Sequence, residues 1–70
     1  MSALHELTWP ELCAGIRAGQ ITPAQATEET MARFILVKAA EAAGIIRHGL
    51  QPSQRYPVLL AAFQQMAQQG

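Results

Sequence analysis

The chain has 70 residues, half of them hydrophobic, 14% charged and 6% aromatic, with a formal net charge of zero and a single cysteine. That length makes one domain with a thin core, burying only about 60% of its unfolded surface, and one cysteine leaves no intrachain disulfide to staple it. Balanced charge argues against a protein that coats nucleic acid, and the apolar run Phe34-Ile35-Leu36-Val37 stops at Lys38, far short of the roughly 20 residues a membrane span needs.

The amino terminus, Met1 to Glu6, has no basic region followed by an apolar stretch, so no signal peptide is expected. The lone thiol, Cys13, fits a reducing, cytoplasmic setting. A first helix is expected over 9–18. Thr8-Trp9-Pro10-Glu11 has the spacing of a capping box, with Leu7 and Leu12 placed as a hydrophobic staple around it. Pro10 sits in the first turn, where a missing N–H costs nothing. Trp9, Leu12, Cys13 and Ile16 form one apolar stripe, and Gly19 supplies the left-handed residue that ends the helix.

The same grammar returns in Thr22-Pro23-Ala24-Gln25, after a connection short enough to make the first two helices a hairpin or a tight corner. With no glycine or proline between Pro23 and Gly44, one long second helix is expected over 23–43. Thr27, Met31, Phe34, Ile35, Lys38 and Ala42 lie along one of its sides, and Ala32, Leu36, Ala39, Ala40 and Ala43 along another. That is more apolar surface than two short helices cover. The alanine-rich side, Ala32, Leu36, Ala39, Ala40 and Ala43, is therefore the expected self-association face. Gly49, Pro52 and Pro57 then punctuate a connector, and a third helix is expected over 55–69, with Leu59, Leu60, Phe63 and Met66 inward and an uncharged glutamine face outward. The fold class is thus all-α, a single three-helix domain over 1–70, completed by homodimerisation.

Charge is balanced only in sum. Residues 1–32 carry four acids, Glu6, Glu11, Glu28 and Glu29, against Arg17, and residues 33–56 carry four bases, Arg33, Lys38, Arg47 and Arg55, against Glu41. The alanines before Gly44 and the aliphatic Ile45-Ile46 before Arg47-His48-Gly49-Leu50 resemble a bacterial helix-turn-helix over about a dozen residues. That resemblance implies Arg47, His48 and Gln51 as base-reading positions and Arg33, Lys38 and Arg55 as phosphate contacts. It departs from the motif at the recognition helix, which Gly49 weakens and Pro52 ends. Leu4-His5-Glu6-Leu7-Thr8, Ile16-Arg17-Ala18-Gly19 and Ile21-Thr22-Pro23 are similar to the helical lead-in of amidase-signature hydrolases. Those enzymes rely on a serine- and glycine-rich core with a lysine that nothing here matches, so no activity is implied.

Chemistry-bearing residues are few. Cys13 with His5 or His48 makes the only thiol–imidazole combination, and its place on an apolar stripe predicts a buried, inert thiol. One cysteine and two distant histidines lack zinc-site spacing, and adjacent Glu28 and Glu29 point to different sides of their helix. No catalysis and no cofactor are expected. The function expected is a helical protein–protein interaction module, of the kind by which small bacterial or phage proteins inhibit, recruit or assemble a larger machine. Met31, Phe34, Lys38, Arg55 and Tyr56 are its expected partner contacts, since aromatic and arginine anchors dominate binding energies. A DNA-binding regulator using residues 38–55 is the alternative.

Overall fold

The structure, a computed structural model, describes residues 6–69. His5, the amino-terminal stretch before Glu6 and the start of the amidase-like segment lie outside them. The described chain is helical, in the order α1 (Trp9–Arg17), α2 (Pro23–Ala32), α3 (Phe34–Ala42) and α4 (Pro52–Gln69). No helix among the described residues is long and apolar enough to cross a membrane.

Three helices start by the same device: a side chain three residues on reaches back to the amide just before the helix. The Thr8 N–H donates to Glu11 Oε1 at 2.9 Å, and the Thr8 hydroxyl donates to the same oxygen at 3.1 Å. At α2 both halves of the box are present at 3.1 Å, Thr22 N–H to Gln25 Oε1 and Gln25 N–H to Thr22 Oγ1. At α4 the Gln51 N–H donates to Gln54 Oε1 at 3.2 Å. Each device answers a donor that the helix itself leaves unpaired.

The ends of α1 and α3 also match. Gly19 and Gly44 have φ of +78° and +81°, and behind them Gln20 N–H bonds to Gly15 O and Ile45 N–H to Ala40 O. This six-to-one closure needs a left-handed residue, which glycine adopts without a Cβ penalty. Gly15 has a different task. A Cβ there would come 2.9 Å from Ile21 Cγ1 and closer still to its Cδ1, so the missing side chain is what lets the turn fold back on α1.

The expected long helix over 23–43 is two helices, which makes four among the described residues. Arg33 is extended, at φ −119° and ψ 112°, and serves as C-cap of α2 and N-cap of α3. The cause is one of phase. Ala26 and Thr30 on α2 and Leu36 and Ala40 on α3 are all buried. In each pairing, Ala26 with Leu36 and Thr30 with Ala40, the two residues are ten apart. At 3.6 residues per turn an unbroken helix would set them about 80° out of line. The break at Arg33 brings both sets inward. Phe34, Ile35 and Val37, which give up side-chain freedom in a helix, make the junction a cheap place to interrupt it.

Leu12, Ile16, Ala26, Leu36, Val37, Ala40, Ile46, Leu59 and Phe63 form one core cluster, with Trp9, Ile21 and Met31 packed on its margin. The Trp9 and Phe63 rings meet at 5.9 Å, tilted 48°. α4 packs most extensively against α2, then α1. On α2 the facing side is polar in composition but satisfied: Thr27 and Thr30 are fully buried, and their hydroxyls donate to Pro23 O at 2.7 Å and Ala26 O at 2.8 Å. α4 begins at Pro52, earlier than the expected 55, and runs on through Pro57. That proline gives up one intrahelical bond and crowds the carbonyl four residues back.

Candidate protein-interaction surface

Two outward faces adjoin at Arg33. α3 turns Leu36, Val37 and Ala40 inward and leaves Phe34, Ile35, Lys38 and Ala42 outside. Phe34 is 72% exposed and Ile35 68%, the two most exposed large apolar side chains described. Lys38 Nζ lies 5.4 Å from the Phe34 ring centroid, one turn along the helix, so its charge sits over the aromatic face. α2 presents Ala24, Glu28 and Ala32 outward at the same four-residue spacing. One face is thus large, apolar and basic; the other is small and acidic.

Arg33 holds the two faces in place. Its Nη1 donates to Leu7 O at 2.6 Å and lies 3.8 Å from Glu29 Oε2. The strap ties the segment before α1 to the junction of α2 and α3. It also commits both Arg33 and Glu29, leaving Glu28 as the outward acid of α2.

The expected site residues are divided by this arrangement. Phe34 and Lys38 come together. Met31 packs against the core instead, Arg55 is half-buried with its Nε unpartnered, and Tyr56, 38% exposed, lies on α4. The expected self-association face is corrected outright at two positions, since Leu36 and Ala40 are 1% and 0% exposed within the single chain. Ala39 is half-buried, and only Ala32 and Ala43 face solvent. The alanine-rich side is needed by the chain's own core. Ile35, absent from the expected contacts, belongs with Phe34, a neighbour that the same apolar stripe already contained.

The segment expected to bind DNA, 38–55, begins in α3 and ends in α4, but the part that carries the expected base-reading residues has no helix. Residues 43–51 form turns and bends between α3 and α4. Arg47 and His48 stand on this connector, Gln51 immediately precedes α4, and Arg33 is engaged with Leu7 and Glu29. Cys13 is buried in α1, and burial pushes its thiol up, with Arg17 opposing the shift weakly. No group of three or more metal-ligating side chains occurs among the described residues. Comparison with protein families, with curated proteins and with solved structures finds no match.

Proposed function

We propose that this domain is a helical protein–protein interaction module whose outer α3 face docks on protein, and that a second copy of the chain is the first occupant of that face. The carrying observation is the adjacent exposure of Phe34 and Ile35 on a helix whose other side is fully used by the core. Fully burying one such side chain stabilises by about 1.5–3 kcal/mol, a large gain for a 70-residue chain. Charge and size select the occupant. When α2 of a second copy is laid backward along α3, Phe34 meets Ala32, Lys38 meets Glu28 and Ala42 meets Ala24. A twofold axis near Arg33 makes the pairing reciprocal, as a closed dimer requires. The dimer would then present the domain to a larger protein that it inhibits, recruits or helps assemble. DNA binding has less support, because the basic connector carries no recognition helix and two of the six candidate contacts, Arg33 and His48, are engaged internally.

Sedimentation equilibrium of the wild type, K38E, E28K and the double variant tests the pairing. The wild type is expected to dimerise, each single reversal to weaken the dimer and the double reversal to restore it. A strictly monomeric wild type, or a double variant weaker than either single one, would sink the proposal. F34S is expected to abolish the dimer while leaving the helical circular-dichroism signal unchanged.

A further inference from the structure

A second surface, on the opposite end of α3 from Phe34, has the features of a small-molecule site. The end of α3, the connector after it and the side of α4 border an open cleft of about 570 Å³, within the roughly 300–1,000 Å³ range of ligand pockets. Its apolar lining comes from Ile45, Ile46, Leu50 and Val58. One carboxylate enters this lining. The Glu41 side chain is only 8% exposed, and its Oε1 lies 3.1 Å from Nδ1 of His48, which is 80% exposed.

A carboxylate this deep in apolar surroundings requires compensation by a cation or by hydrogen bonds. Among the described residues its ion-pair partner is His48, which answers the charge only when protonated. Arg47 borders the cleft without making an ion pair to Glu41, and α4 contributes Val58, which has no charge to offer. The site therefore combines a nearly buried anion, a displaceable solvent-facing partner and an apolar wall of matching size.

We infer that this cleft binds a small organic amine, with the ammonium on Glu41 and an aryl or alkyl body against Ile45, Leu50 and Val58. His48 moves aside toward solvent as the ammonium takes its place. The inference is independent of the dimer: the residues of this cleft are shared with neither face of that pairing.

The test is a ¹H–¹⁵N correlation titration of the full chain with benzylamine, using benzyl alcohol as the neutral match. Benzylamine is expected to give saturable shifts centred on Glu41, His48, Leu50 and Val58. Benzyl alcohol should bind at least about tenfold more weakly, the factor expected of a hydrogen bond to a charged group. E41Q, which keeps the shape and removes the charge, should reduce the amine to the level of the alcohol. Equal shifts from amine and alcohol in the wild type would overturn the inference, as would shifts scattered over the surface or none at all. The wild-type comparison decides the matter even if E41Q fails to fold.

Discussion

The pair α1 and α2 and the segment from α3 through the following connector are built on different grounds. α1 and α2 each open on a threonine with a proline behind it and a reach-back side chain, so local bonds define where they begin. α3 opens on Arg33 with no side-chain cap and no acid in its first turn. It exists because Leu36, Val37 and Ala40 complete the core, and its outward side is left apolar. The capped pair has spent its sequence on specifying itself; α3 has kept side chains available for something else. Regions shaped by tertiary demand rather than by local signals are where natural chains tend to carry function.

The largest break in this contrast should come from Leu36→Ala. Truncating a fully buried leucine costs about 2–5 kcal/mol, comparable with the whole stability of a domain this small. Urea unfolding should show that loss, and hydrogen exchange should show α3 amides opening before those of α1 and α2. Equal loss of protection in all helices would mean that α3 is no less locally specified than α1 and α2. A smaller effect is expected from Thr22→Ala, where the lost N-cap bond costs about 1 kcal/mol and the loss of protection should centre on the first turn of α2.

The smallest effect is one of pH. The Thr8 backbone N–H, and after it the Thr8 hydroxyl, hold the Glu11 carboxyl below the usual glutamate value. A depressed folded value means that the contribution is fully present above the unfolded value, about 4.3 for glutamate, and is lost as pH falls through the folded one. Thermal melts of the wild type between neutral and acid pH should therefore lose a small increment that Glu11→Gln lacks. An identical pH profile for the two proteins would remove the carboxylate from the account of how α1 starts.

Much of α1 and α2 was legible in advance because their signals are contiguous. Thr8 with Glu11, Thr22 with Gln25 and Gly19 each act within a few residues. The same signal stood at Gln51-Pro52-Ser53-Gln54, where glutamine replaces the customary threonine and two prolines suggested interruption instead. The break at Arg33 had no local mark: nothing near it is glycine or proline, and its cause is the misalignment of two core-facing sets. For the same reason the inward turn of Leu36 and Ala40 was not visible on a helical wheel drawn through residues 23–43. The Phe34 and Lys38 pairing was readable, being one turn apart, whereas Glu41 meets His48 only because the chain reverses at Gly44.

The Arg33 strap has a consequence for how the first half of the chain is closed. Its bond to Leu7 O spans 26 residues and closes a ring around both capped helices. Closing a loop costs entropy that grows only slowly with its length, and two locally stabilised helices shorten the flexible part further. Because α1 and α2 touch each other little and both pack mainly on α4, the strap and α4 together hold the ring in shape. Loosening the guanidinium would separate the segment before α1 from the junction of α2 and α3.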